Sequence, residues 1–216
     1  VRARAGIDNV RDSMTNIVKR HTDPERAEQR RAQVLDAAAV CFARSGFHGA
    51  SMAEISKQAG MSAGHIYNYF DNKDAIVMTF VAMRVEHFND RLGNLCKQAD
   101  PLGYMCEEIG DIVDEHLAPS FWCMSLEIFA EASRNPTVAA ALQAADRDAR
   151  ARLGALIAHG RQQRGLAADQ HTVDGRIGAM KAMFNGLSLR VLQDPGVERG
   201  DIVDACRVAV RALMLT

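Results

Sequence analysis

An all-α fold of about nine helices is expected from this chain on three observations. Apolar residues recur every three or four positions in nearly every long segment, no stretch alternates apolar and polar residues with a period of two, and the breaks fall at proline and glycine. The expected architecture is an N-terminal three-helix head carrying a helix-turn-helix, joined to a C-terminal helical bundle. We place a flexible arm at residues 1–24, the head at 25–74 and the bundle at 75–216.

The first helix is signalled over residues 24–45. Pro24 suits a first turn, Val34, Leu35, Ala38 and Phe42 fall on one stripe, and Gly46 closes the helix. Residues 51–70 then read SMAEISKQAGMSAGHIYNYF, two short helices around a tight turn. Ser51 caps the first, Glu54 three residues on completes a capping box, and Met52, Ile55 and Ala59 face a core. Gly60 supplies the left-handed backbone of the turn, Met61 fills the corner, and Ser62 caps the second helix. Ile66 and Phe70 stand four apart on its inner face. Its outer face carries Ala63, Gly64, His65, Tyr67, Asn68 and Tyr69. An αα-hairpin serving only as core would explain the periodic apolar residues but not this outward polar set. A helix-turn-helix explains both, since its second helix enters the major groove N-terminus first. The candidate DNA contacts are therefore Ser51, Ser62, Ala63, Gly64, His65, Tyr67, Asn68, Tyr69 and Lys73, the last near the start of the following helix, where charge and helix dipole attract a phosphate.

The bulk properties agree with a DNA binder once charge is divided along the chain. The net charge of the 216 residues is −1, but residues 1–75 hold 11 Lys or Arg against 9 Asp or Glu, and residues 76–216 hold 15 against 18. The bias is small, so affinity rests on where Arg26, Arg30, Arg31, Arg44, Lys57 and Lys73 lie. In the arm, Arg2, Arg4, Arg11, Lys19 and Arg20 are available to phosphates, with a plain solvated tail as the equal alternative and Met14 as an alternative start to Val1. No apolar run approaches a membrane span and the N-terminus lacks the apolar segment of a signal peptide, so no membrane partner and a cytoplasmic location are expected. The five cysteines are scattered, without a Cys-x-x-Cys pair, and read as buried thiols. A redox sensor built on Cys96, Cys106 and Cys123 lacks a flanking cation to activate a thiolate. The histidines form no ligand motif, so neither metal nor cofactor is expected. No nucleophilic triad, metal spacing or phosphate loop in a plausible setting points to an enzyme.

Across about fifty residues, 25–74, the head resembles the DNA-binding domain of TetR-type transcriptional regulators. The resemblance rests on RRAQVLDAAAVCFARSGFHGASM, the step from Gly60 to Gly64, the cluster Tyr67, Tyr69 and Phe70, and Lys73. The family often carries a cation at the position of Ala63 and alanine at that of Ser56. With no cation at Ala63, base readout leans on His65, on thymine methyls or on DNA shape. More loosely, EIFAEASRNP, IAHGRQQRG and FNGLSLRVLQDP resemble the C-terminal half of the branch that includes choline-responsive and drug-efflux regulators. The resemblance implies a bacterial repressor, a double-stranded operator, a homodimer and a small-molecule inducer held in the bundle.

After a long helix over residues 73–98, the C-terminal segments are expected to be helical, with breaks near Pro101, Pro119, Pro136, Gly165 and Pro195. Tyr104, Met105, Phe121, Trp122, Met124, Phe129, Met180, Met183 and Phe184 are the candidate pocket residues, since such side chains line adaptable sites as well as plain cores. Glu127, with Glu131, interrupts the apolar helix beside Trp122 and Phe129, and a carboxylate there suits a cationic lipophile; solvation or pairing with arginines is the alternative. Ala179, Ala182, Gly186 and Leu189, with Val203 and Val210 of the last helix, are the candidate dimer interface. Dimerisation also follows from a palindromic operator, because one helix-turn-helix reads only a half-site. The runner-up reading is a ligand-independent DNA-binding or architectural protein, which requires a solid C-terminal core.

Overall fold

The computed structural model describes residues 24–216, so the arginines and lysine of the arm and the alternative start at Met14 lie outside the described residues. Those residues form ten helices and no strand: α1 (Pro24–Gly49), α2 (Met52–Gln58), α3 (Ala63–Ile66), α4 (Lys73–Cys96), α5 (Pro101–Glu107), α6 (Ile109–Leu117), α7 (Pro119–Ala132), α8 (Pro136–Gln162), α9 (Gln170–Gln193) and α10 (Arg199–Leu215). The tenth helix arises where the segment 101–117, expected to be one helix, bends at Glu108, which ends α5 and begins α6. On either side of the bend Leu102, Met105, Cys106, Ile109 and Val113 all remain buried.

Two hydrophobic cores organise the molecule. The first gathers α1, α2, α3 and the N-terminal half of α4 around Val34, Phe42, Ile55, Ile66, Phe70, Ile76 and Val81, and takes in Ile128 from α7 and Val138 from α8. The second joins Leu92 and Leu95 at the far end of α4 to α5, α6, α8, α9 and α10 through Leu102, Ile109, Ile157, Ile177, Phe184, Val210 and Met214. α4 thus belongs to both cores.

Side-chain caps set most of the helix starts. Asn72, Asp100, Asn135 and Asp169 accept backbone N–H groups at the first turns of α4, α5, α8 and α9. The last turn of α10 is finished by two arginines from other helices. Fully buried Arg161 of α8 donates to the carbonyls of Met214 at 2.9 Å and Thr216 at 3.2 Å, and Arg176 of α9 donates to the carbonyl of Ala212 at 3.2 Å. Carbonyls that a helix end leaves without partners are thereby satisfied, and α8, α9 and α10 are tied together.

α5 crosses α8 at Gly160, where a β-carbon would stand 2.8 Å from Leu102 Cγ. Gly160→Ala is expected to lower stability by about 1–3 kcal/mol through overpacking. Gly93→Ala, near the C-terminal end of α4 with nothing within 4 Å of its added methyl, is expected to raise it by about 0.5–1 kcal/mol through helix propensity. Urea denaturation of both variants checks the pair, and an unchanged Gly160→Ala would mean that Leu102 swings aside freely.

Candidate functional site

The helix-turn-helix is built by its caps. Ser51 Oγ accepts from Glu54 N–H at 3.1 Å, and Glu54 returns the bond by accepting from Ser51 N–H at 2.9 Å. The Ser51 N–H bond foremost, with a second from the Ser51 hydroxyl to Glu54 Oε2 at 3.1 Å, holds the Glu54 carboxyl below the usual range. Gly60 follows with φ 63°, in the left-handed region, and Ser62 Oγ then accepts from His65 N–H at 3.3 Å to start α3. α3 proper is only one turn, but the amides of Tyr69 and Phe70 continue it by donating to the Ile66 carbonyl. Ile66 and Phe70 are buried, while Ala63, Gly64, His65, Tyr67 and Asn68 are exposed and Tyr69 is half-buried. The hydroxyls of Ser51 and Ser62 are committed to capping.

The outward residues are linked before any ligand arrives. Asn68 Nδ2 donates to His65 Nδ1 at 3.3 Å, and Tyr69 Oη lies 3.2 Å from His65 Nε2, with the two rings edge to face at 5.3 Å. With the amide donating to Nδ1, the neutral imidazole carries its proton on Nε2 and gives it to the Tyr69 oxygen. Asn68 Oδ1 and the Tyr67 hydroxyl have no partner among the described residues, and the Tyr69 hydroxyl has only His65, which leaves them for a groove.

Two of the head's cations do structural work. Lys73 was expected to reach a phosphate from the start of α4. Its Nζ instead donates to the carbonyls of Phe47 and Ala50, each at 2.6 Å, and sits 4.6 Å from the Phe47 ring centroid. This matters because α1 breaks at Gly46 (φ 69°, ψ 169°) and leaves carbonyls beyond the break to be satisfied. Arg31 likewise donates to the Tyr69 carbonyl and to Thr79 Oγ1, both at 3.1 Å, and stacks 4.3 Å from the Phe70 ring centroid. Lys57, Arg26 and Arg30 are exposed, and Arg44 approaches Glu54 at 3.9 Å.

A cavity of about 870 Å³ lies in the second half of the molecule, walled by α4, α6, α7, α8 and α9 with Met105 of α5. Of the residues expected in it, Met105, Phe121, Met124, Phe129, Met180 and Phe184 line it, whereas Tyr104, Trp122, Glu127 and Met183 do not. The correction at Glu127 has a simple cause. At about 100° per residue it stands roughly 120° round α7 from Phe121, on the face turned to α1. There Glu127 Oε2 accepts the Phe47 N–H at 2.8 Å, and Glu131, buried on the same face, lies 3.1 Å from His48 Nε2. These glutamates fasten α7 to the head and leave the cavity without the unpaired carboxylate expected there. Tyr104 is hydrogen-bonded to Glu108, whose carboxylate raises the phenol's pKa above its ordinary value.

The sequence reading missed the cavity's charged wall. Arg84 of α4 lines it, donates to Ser125 Oγ and lies 4.6 Å from the Phe121 ring centroid. Burial pulls its pKa down. His116 of α6 packs between the rings of Phe121 and Phe184, with centroids 4.6 and 5.5 Å away, and its Nδ1 donates to the Ile112 carbonyl at 2.8 Å. Burial lowers its pKa too, so the imidazole is neutral at pH 7. Burial raises the thiols of Cys106 and Cys123, the direction opposite to an activated thiolate. Among the described residues, no group of three His, Cys, Asp or Glu side chains is placed to hold a metal ion. Among them too, no helix is long and apolar enough to cross a membrane.

The expected dimer face divides. Ala179 and Ala182 are exposed, Gly186 is half-exposed with open space beside it, and Leu189 is 51% exposed. Val203 and Val210 are buried in the protomer's own core at 6% and 0% exposure, because the stripe Val203, Cys206, Val210 and Met214 is the inner side of α10. Val208, 71% exposed, is the valine that α10 presents to solvent.

Two family models match the chain. That of the bacterial regulatory proteins of the tetR family covers residues 34–78, and that of the BetI-type transcriptional repressor C-terminal region covers residues 109–215. The chain is similar to the HTH-type transcriptional regulator UidR of Escherichia coli (strain K12), 32% identical over 117 residues, which are 54% of this chain and 59% of that protein. The match thus spans less than two thirds of the relative's length. Among solved structures it is similar to Salmonella enterica GusR, with a TM-score of 0.70 and 25% identity over 87% of this chain and 96% of the other. It is also similar to a transcriptional regulator from Saccharomonospora viridis in complex with choline, with a TM-score of 0.64 and 25% identity over 86% and 95% of the two chains.

Lys73→Met removes two charge-assisted bonds and strands two carbonyls, so it is expected to cost roughly 2–3 kcal/mol of stability. Chemical denaturation measures this. A variant of native stability that has lost only DNA affinity would restore Lys73 to the phosphate-binding role.

Proposed function

Because the chain belongs to the tetR family of bacterial regulatory proteins, which are transcriptional regulators and not enzymes, we propose that it is a ligand-released repressor. It binds a palindromic operator as a homodimer in the cytoplasm. The head at 25–74 reads DNA, and residues 75–216 hold the inducer and the partner protomer. The observation that carries the DNA reading is the outward set on α3, with His65 bonded to Asn68 and Tyr69, and Tyr67 exposed beside them, on a helix that starts with the small residues Ala63 and Gly64. Small residues permit close approach to the groove, and the polar tips offer both donors and acceptors to base edges and phosphates.

The cavity favours a sensor over an architectural protein, which has no use for an open space of about 870 Å³, well within the range of small-molecule sites. Release follows from how that space is walled. α4 and α7 line it and also reach the head, α4 through its N-terminal half and α7 through Glu127 and Glu131. A ligand that fits only one disposition of these helices shifts the population toward it, and with it the separation of the two heads on DNA. For the dimer, Ala179, Ala182, Gly186 and Leu189 recur at spacings of three and four along α9 and let two helices approach closely.

Mobility-shift titrations of the palindromic sequence beside its own gene test the DNA reading. His65→Ala is expected to relax base preference and Tyr67→Ala to weaken binding, each by about 1–3 kcal/mol. If both variants bind like the wild type, the recognition surface lies elsewhere. Gly186→Arg is expected to split the dimer by burying an unpaired cation between helices; light scattering that still returns the dimer mass would move the interface off α9.

A further inference from the structure

The geometry points to an organic anion as the cavity's ligand: a carboxylate carried on an apolar body, its head group paired with Arg84. This assignment rests on the sensor reading above and adds the chemical class. Four acids line the cavity; three are paired with cations, and Glu108 meets the Tyr104 hydroxyl. Glu115 pairs with Arg91 at 2.8 Å and with His87 at 3.0 Å, Asp146 with Lys181, and Asp148 with Arg152 at 3.7 Å. Arg84 lacks such a pairing. Among the described residues no carboxylate lies within salt-bridge distance of it, and its one hydrogen-bond acceptor is the neutral hydroxyl of Ser125.

A guanidinium has five N–H donors, and a desolvated one without a counter-charge is costly. Burial presses on Arg84 hard enough to lower its pKa even against the pull of the Glu115 carboxylate, which acts from beyond salt-bridge distance. An anion entering the cavity supplies the missing charge and, if it is a carboxylate, matches the planar fork with two parallel bonds. The rest of the site suits an apolar body. Phe121 holds the guanidinium from one side, and Met124, Met180 and Phe184 offer adaptable apolar surface. His116, kept neutral and donating to its own helix, adds no repulsion toward a cation and no second charge for the anion. The chain's similarity to a choline-bound regulator does not carry over to the sign of the ligand. A quaternary ammonium needs an open carboxylate or an aromatic cage, and here three of the four carboxylates are paired with cations and Phe121 already stacks on one.

Three probes that share a ring and differ in charge separate the possibilities: 2-naphthylacetate, 2-(2-naphthyl)ethanol and 2-(2-naphthyl)ethylammonium, each titrated calorimetrically into the full chain. The wild type is expected to bind the carboxylate at least tenfold more tightly than the alcohol and to bind the ammonium most weakly. In R84M the carboxylate-to-alcohol ratio is expected to fall at least tenfold, and in R84K to stay within a few fold of the wild type. A wild-type ranking with the alcohol or the ammonium first overturns the anion assignment and leaves the sensor reading standing, whether or not R84M folds. A ratio unchanged in a cooperatively melting R84M also overturns it. Wild-type protein that binds none of the three overturns the sensor reading itself, and the anion assignment with it.

Discussion

Most of what this molecule can do depends on one helix being shared by two cores. α4 packs Ile76, Val77 and Val81 against the helix-turn-helix and Leu92 and Leu95 against the bundle. Its 24 residues form a rod of roughly 36 Å. Between these anchor points the same helix supplies Arg84, Phe88 and Arg91 to the cavity wall. A well-packed interface tolerates few intermediate positions. A displacement of α4 at the cavity is therefore felt at both ends.

α7 makes the second connection, and it works differently. Phe121 and Met124 on one side of α7 meet the cavity, while Glu127 and Glu131 on another side hold the stretch of α1 just after its break. That break places Gly46 at positive φ, with the Glu127 carboxylate 3.6 Å from where a side chain would begin. The same few residues are braced from below by Lys73, which binds the Phe47 and Ala50 carbonyls. Phe47 is consequently gripped by an anion at its N–H and a cation at its carbonyl. The polar bonds at this corner fix the angle between head and bundle more firmly than apolar packing would, because each has a defined direction.

The sequence was most legible where local chemistry decides the outcome. The capping box at Ser51 and Glu54, the turn at Gly60, the cap at Ser62 and the inward pair Ile66 and Phe70 are all properties of a few neighbouring residues, and each formed as expected. Orientation around longer helices was harder. Periodicity places Glu127 relative to Phe121, but it does not say which neighbour each face meets, so both were assigned to one pocket. The same ambiguity put the inner stripe Val203 and Val210 on an interface. Lys73 was the hardest to read, because its partners lie 23 and 26 residues away and exist only because α1 breaks at Gly46. Arg84 did leave a signal. It interrupts the apolar stripe Phe80, Val81, Val85 and Phe88 at the spacing of a buried position, as His116 does after Ile109, Ile112 and Val113. A charged residue in such a stripe is either paired across the core or waiting for a ligand.

For Arg84 the difference between those two outcomes has a thermodynamic consequence. Had an acid of the chain neutralised it, the cavity would be electrostatically complete and an incoming anion would have to displace that acid. With a hydroxyl, an aromatic face and only the more distant Glu115 to offset it, the guanidinium carries a desolvation cost. Part of an anion's binding free energy is the return of that cost, and it is returned only where Arg84, Ser125 and Phe121 remain juxtaposed. Arg84 belongs to α4 and the other two to α7, the same two helices that reach the head. An anion that bridges them favours one spacing of α4 and α7 over all others. By linkage, operator DNA that prefers a different spacing must weaken the anion's affinity by the same factor that the anion weakens the operator's.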